Sequence, residues 1–399
     1  MKLFKQFINS KCYWPIILIS GYFLRAIAGW FLQNYQLADA LAQYMPISEA
    51  LVFGEGYIDG RPPGFILFLA PIVRIFGREH YIYPAILIQS AVSILFCYFL
   101  YKLTISLFRS ETAGRIASGI GAFYPWFIYY STQLSMEHWF VFWVILSVYY
   151  AVLFDQKRDN NTAIKLGLTL GFTSWIRTIF TPYIFLIICL FFLRKIPWKK
   201  ILPIVLIFAF FYLGWGTFNY FYRGEWSFTG GNADHNLYIS LNSQNKTGGM
   251  IRGRDSPDLD EIYKYLETLP PEEAKNWFKN QVWQFVRENP KEVLILAGKK
   301  MFIFWRPYPT AEGYTTPLTF FIVFVTFVPL VLFSGYTIFS FRNNVDFVLL
   351  TYPLLYIAQL NAIHLVFSGS LVYRFPIEPL LICLASYGLA KLLESQQHK

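Results

Sequence analysis

Charge is what this chain has least of. Only 15% of its 399 residues are Asp, Glu, Lys or Arg, against 55% hydrophobic, a balance that excludes an ordinary soluble enzyme of this length. Cysteine is scarce as well. The four, Cys12, Cys97, Cys189 and Cys383, lie near the N-terminus or inside apolar runs, and the one large polar segment has none. Neither a disulfide framework nor a cysteine zinc site is legible. No internal repeat and no low-complexity tract is visible, which removes repeat architectures and weighs against an inverted-repeat transporter. What is there is a series of apolar runs from end to end, with 20% aromatic residues of the kind that fill interfacial belts and packed helix faces. The expected fold class is an all-α polytopic membrane protein. The net charge of +10 then belongs to cytoplasmic loops and to contact with membrane lipids, not to a nucleic-acid surface.

Hydropathy and loop charge together give a topology. Lys2, Lys5 and Lys11 precede a span over 14–32, placing the N-terminus in the cytoplasm. Arg25 and the bulky end Trp30-Phe31-Leu32 favour an uncleaved first helix over a signal peptide. Residues 33–64 form a first external loop. Arg61-Pro62-Pro63-Gly64 opens an interfacial helix over 61–77, short for a span and carrying Arg74. Further spans are expected over 81–107, 116–132, 139–154, 163–177, 179–193 and 201–222, completing an N-terminal transmembrane module, 1–222. Between 223 and 314 Gly, Asn, Asp and Lys become common, so a small mixed soluble domain is expected on the outer side. One of its helices should start at Pro270-Pro271-Glu272-Glu273. Spans over 315–341, 347–367 and 375–393 make up a C-terminal segment, 315–399. The total is about ten spans of roughly twenty residues each, and the Lys and Arg of short loops fall mostly on the predicted cytoplasmic side.

That topology gathers Asp39, Glu137, His138, Arg177, Tyr373 and Arg374 at the outer face, with Arg25 in the nearer half of the first helix. Each alone has an ordinary reading. A loop aspartate caps or turns, an arginine at a span end snorkels to the headgroups, and two histidines without a partner set are structural or solvated. The set carries more than its members: carboxylates and guanidinium groups at one interface suit an anionic substrate and an acid–base site. Lys299, Lys300 and Arg306 read as headgroup contacts.

Four stretches, in order along most of the chain, carry a resemblance. They are Tyr44-Met-Pro-Ile47-Ser-Glu-Ala-Leu51-Val-Phe-Gly54-Glu-Gly56-Tyr57 with Arg61-Pro62-Pro63-Gly64-Phe65; Tyr124-Pro125-Trp-Phe-Ile-Tyr-Tyr-Ser131 leading to Ser135-Met136-Glu137; Phe218-Asn219-Tyr220 with Asn236-Leu237-Tyr238 and Thr247-Gly248-Gly249; and Tyr373-Arg374-Phe375-Pro376 with Glu378-Pro379-Leu380. Each is degenerate alone, and the ordered set resembles the polyprenyl-phosphate-sugar-dependent glycosyltransferases of the C-type fold, the superfamily of protein O-mannosyltransferases and the aminoarabinose transferase of lipid A. The resemblance implies a multi-pass enzyme of a bacterial plasma membrane with its active site on the outer side. It implies Asp39 as the catalytic carboxylate and Glu137, with His138 beside it, assisting the acceptor. No cofactor is certain. A divalent cation, if the reaction uses one, would fall to Asp39 and Glu137. In one place the chain departs from the pattern. The family has its aspartate four residues before the tyrosine that Tyr44 matches, where this chain has Ala40. Asp39 lies one residue further off, so Asp59 and Glu49 stand as alternative acids.

The chemistry asks for these residue types. A sugar on a lipid phosphate has a good leaving group and an electrophilic anomeric carbon. An acceptor hydroxyl must lose its proton as it attacks, which a carboxylate can take. The departing phosphate gathers charge that guanidinium groups stabilise. Arg374, Arg25 and Arg177, with Tyr373, are the candidate phosphate-binding residues, and a single displacement inverts the sugar carbon. The acceptor stays open between a lipid, a glycan and a protein side chain. Two other functions stay open at this point: a polymerase or ligase of lipid-linked glycans, and a transporter of lipid or sugar.

Overall fold

The computed structural model describes residues 6–37, 40–57, 60–224, 226–228, 233–249, 259–309 and 315–395. Asp39 and Asp59 lie outside them. Among the described residues every regular element is helical. Seven helices are long and apolar enough to cross a membrane, over 13–32, 82–108, 136–157, 198–223, 317–341, 345–366 and 371–395, and a shorter apolar helix runs over 178–193. The other expected spans are helical too, but shorter or broken. The run expected over 116–132 is interrupted at Tyr124, whose extended backbone precedes Pro125, because a residue before proline is pushed out of the helical region.

The chain divides into two compact units, the first built from 1–228, 326–355 and 376–399, the second from 229–325 and 356–375. In the first unit, α1 is Tyr13–Leu32, α2 Met45–Phe53, α3 Ile66–His80, α4 Ile82–Phe108, α5 Glu111–Phe123, α6 Pro125–Ser131, α7 Met136–Lys157, α8 Asn160–Ile176, α9 Thr181–Leu193 and α10 Trp198–Arg223. A five-residue π-turn, Ala40–Tyr44, leads into α2. α3 covers part of the stretch expected to form a short helix over 61–77 and loses helical geometry at Gly77, where φ is 74°. α8 packs between α7 and α10, and α5 lies against α4. Glycines allow these close approaches: a Cβ at Gly167 would come 2.9 Å from Ile207. Arg109, Arg158 and Lys195 hold the left-handed conformation just past the ends of α4, α7 and α9. Glycine usually takes this place. Here a cation adds attraction to the negative helix end, and all three fall at the end that loop charge assigns to the cytoplasm.

In the second unit, α11 is Ala233–Ser240, α12 Leu259–Leu266, α13 Pro271–Glu288 and α14 Pro290–Trp305. α13 begins with proline at its first turn, as its sequence predicts. Val282 and Phe285 from α13 form a small core with Leu241 and Leu296. α15, Pro317–Phe341, starts in this unit and ends in the first; α16, Thr351–Val366, runs the other way; α17 is Leu371–Arg374; and α18, Glu378–Ser395, returns to the first unit. There Ser334 and Thr337 of α15 donate to the carbonyls of Leu381 and Leu384 in α18.

Candidate active site

The break between α6 and α7 is the centre of the first unit's polar chemistry. A helix interrupted in a buried setting leaves backbone groups that need other partners. Side-chain amides supply them. Gln89, fully buried on α4, donates to the carbonyls of Tyr130, Ser131 and Gln133. From the start of the first loop, Gln36 accepts from Leu134 N at 2.7 Å and donates to Thr132 O at 3.1 Å. In return, Gln133 Oε1 accepts from Leu37 N at 2.9 Å.

α7 starts from this turn, with Glu137 in its first turn, where the helix N-terminus favours an anion. Glu137 is only 7% exposed, and His138 is fully buried. Among the described residues, neither Glu137 Oε2 nor either ring nitrogen of His138 has a hydrogen-bond partner, and the same holds for Ser135 Oγ and Trp139 Nε1. Buried polar atoms in native proteins are almost always paired, so a run of orphans over four residues marks a place kept for something else.

Two more stretches converge on α7. Gly64 N donates to Trp175 O at 2.9 Å, and a Cβ on Gly64 would stand 2.8 Å from the backbone of Trp175 and Ile176. The glycine of Arg61-Pro62-Pro63-Gly64 therefore lets the first loop close against the end of α8. Arg177 is the next residue, at the α8 C-cap, and its guanidinium lies 5.8 Å from the Phe140 ring. Phe140 is three residues beyond Glu137 and shares its helical face. Phe68 of α3 lies against Trp139 with ring centroids 4.1 Å apart.

Arg25 takes a different place from the one its sequence suggests. It is fully buried and donates to Ser93 Oγ, Gly21 O, Ala122 O and Gly121 O at 2.6–3.1 Å. Gly121 and Ala122 belong to the last turn of α5, whose carbonyls lack helical partners. Arg25 caps that helix end and ties α1, α4 and α5 together. Glu49 is also engaged: it accepts from Tyr81 Oη at 2.9 Å and pairs with Arg78 at 3.5 Å.

Tyr373 and Arg374 belong to the second unit. Arg374 is 1% exposed and donates to Phe304 O and Arg306 O at the end of α14. The Tyr373 ring stacks on His364 at 4.8 Å, and His364 Nδ1 bonds Ser368 O. The motif residues around Ser240 and Gly248 meet here, with Ser240 and Ser368 hydroxyls 2.8 Å apart and Gly369 N donating to Gly248 O. They enclose Lys300, which sequence reasoning assigns to headgroups. It is fully buried and reaches the Val366 carbonyl, and burial lowers its pKa to about 8. Its signal was a second lysine on a helix face otherwise turned inward, too weak to separate from its neighbour Lys299.

Among the described residues no group of three His, Cys, Asp or Glu gathers as a metal site. The orphaned Glu137 oxygen is nevertheless a donor of the type a divalent cation takes. The outer segment, expected to carry no Asp-x-Asp motif, does contain one, Asp258-Leu259-Asp260; its second aspartate sits in the first turn of α12, and Asp258 lies outside the described residues.

No protein-family model and no curated protein matches this chain. Solved structures do. The oligosaccharyltransferase of Archaeoglobus fulgidus in its apo form aligns over 97% of this chain and 52% of its own, with a TM-score of 0.55 at 14% identity. The same archaeal enzyme tethered to an acceptor peptide gives 0.53 at 13%, and its complex with an inhibitory peptide and a dolichol-phosphate gives 0.51 at 13%. This chain spans about half the length of those structures, 50–52%. Over 97% of its length, this chain shares the fold of that archaeal enzyme.

Proposed function

We propose that this chain is an integral membrane glycosyltransferase that moves a sugar from a polyprenyl-phosphate carrier to an acceptor on the outer side of the membrane. The observation that carries the reading is the match in fold over 97% of the chain to a lipid-linked glycan transferase. The dolichol-phosphate bound by that relative supports a polyprenyl carrier here. The buried Glu137 oxygen Oε2, without a partner among the described residues, supports a reacting centre at the α6–α7 break.

In this reading Asp39 takes the acceptor proton as the acceptor oxygen attacks the anomeric carbon. The bond from that carbon to the phosphate oxygen breaks, its electron pair leaves with the polyprenyl phosphate, and the sugar carbon inverts. Glu137 orients the acceptor, with His138 beside it. A divalent cation held by Glu137 and Asp39 would add Lewis-acid orientation of the acceptor. The phosphate is held by charge-assisted hydrogen bonds, for which Arg374 with Tyr373, or Arg177, are the candidates. Because the structural relatives are oligosaccharyltransferases, transfer of a whole glycan is a second reading beside transfer of a single hexose or pentose.

Mass spectrometry of glycolipids and glycoproteins tests both readings, using cells that lack the protein and cells that carry Asp39→Asn. Loss of one sugar or one glycan from one species is the expected result. An unchanged glycome in both strains would overturn the proposal.

A further inference from the structure

Three glutamines meet at the α6–α7 break, and two of them bracket one another. Gln36 accepts from the N–H of residue 134 and donates to the carbonyl of residue 132, so its amide spans Gln133 as a neighbouring strand would. The Gln133 side chain accepts from the N–H of Leu37, and its Nε2 donates to Thr132 Oγ1. Gln89 fixes the same turn from behind. Gln89 and Gln133 are fully buried, where an amide hydrogen bond is stronger than in water and an unmade one is costly. Two segments about a hundred residues apart in sequence, as the separation of 96 between Leu37 and Gln133 shows, are thereby held in one register. One runs on into the first loop. The other enters α7 and reaches Glu137 four residues after Gln133.

We propose that Gln36 and Gln133 are positioning residues: their reciprocal amide clamp sets the Glu137 carboxylate against the first loop, and so governs the rate of sugar transfer rather than the binding of the donor. This rests on the glycosyltransferase reading. The donor-phosphate groups lie on other elements, so the clamp acts through Glu137 without touching the carrier. Helix packing alone does not require the reciprocity. Gln89 already satisfies three carbonyls of the break, whereas the Gln36–Gln133 pair is spent on joining the break to the loop.

The test has two readouts on the full-length protein in detergent. Hydrogen–deuterium exchange of peptides covering 33–41 and 130–138 reports the clamp itself. Gln36→Ala should expose the Leu134 amide and Gln133→Ala the Leu37 amide, each raising exchange locally while the melting temperature stays within a few degrees. Transfer kinetics with a synthetic polyprenyl-phosphate sugar report its role. Each variant should lose about 10- to 100-fold in kcat, the scale of a small misplacement of a reacting group, with the donor KM within about two-fold. The double variant should be no worse than the poorer single one, because the two amides act as a unit. Faster exchange with an unchanged kcat would overturn the positioning role. Unchanged exchange in both variants would overturn the clamp. A wild-type protein that transfers no sugar would remove the functional reading, and the positioning role with it, while exchange still reports on the clamp.

Discussion

Arg25 and Glu137 are both charged, both nearly sealed from solvent and both in the first unit, yet the fold treats them in opposite ways. Arg25 has four hydrogen-bond partners at 2.6–3.1 Å, two of them carbonyls of the last turn of α5 that would otherwise be orphaned. Glu137 leaves one carboxylate oxygen unpaired, and the neighbouring His138 leaves both nitrogens unpaired. A buried charge is expensive to keep. Where every partner is internal, the charge holds helices together. Where partners are missing, the expense is tolerated only if a ligand or a reaction uses the group. Sequence alone places both residues near one membrane face; only their hydrogen bonds separate scaffold from candidate site.

The comparison can be broken by exchanging stability against activity. Asp39→Asn should lower transfer by roughly 10³-fold, within the range for a general base, with insertion and folding intact; near-normal transfer in this variant together with loss in Asp59→Asn would move the base to Asp59. Glu137→Gln should lower turnover by about 10²-fold without lowering the melting temperature, since it removes an unpaired charge. Arg25→Leu should do the reverse. It strips partners from Ser93 and three carbonyls, costs on the order of 3 kcal/mol, and lowers activity only in proportion to the folded fraction, as read by thermal unfolding in detergent. If Arg25→Leu melts normally while donor use fails, the scaffold role is wrong.

Smaller effects sharpen the same contrast. Arg374→Ala should raise the donor KM by about ten-fold, the loss expected for one charge-assisted contact; unchanged donor saturation would argue against a phosphate role for Arg374. Lys300 gives a pH signature. Its pKa falls from 10.5 to about 8 because burial disfavours the ammonium. Between those values the unfolded chain binds the proton more readily than the folded one, so this group's contribution to stability rises with pH from about 8 to 10.5 and is absent below 8. Melting curves from pH 7 to 10.5 should show that rise relative to Lys300→Met, and parallel curves would contradict it. Glu49→Gln should change transfer least, within about two-fold, because its carboxylate is held by Tyr81 and Arg78.

Much of the fold was legible because a bilayer allows few solutions. A run of about twenty apolar residues must be helical, and the short helix α3 and the proline start of α13 follow from short length and local chemistry. The number of full-length spans was less legible. Runs such as 116–132 have the composition of a span, but Pro125 divides them, and composition does not register a break in direction. At the candidate site, Glu137, His138, Arg177 and Gly64 could be picked out by residue type beside a span end. The glutamines could not, because a neutral amide inside an apolar run carries no pattern until its partner backbone is known. Arg25 shows the same limit: a charge in the outer half of a span looks the same whether it meets a substrate or the last carbonyls of another helix.

The most direct measurement follows a labelled sugar from a synthetic polyprenyl phosphate, using purified wild-type protein and Glu137→Gln, with membranes from cells lacking the protein as the source of acceptor. The account expects wild-type protein to release polyprenyl phosphate in step with label gained by one acceptor. It expects Glu137→Gln to do so about a hundred-fold more slowly at an unchanged melting temperature. Equal rates in the two proteins would contradict the claim that the buried Glu137 carboxylate is kept for the reaction.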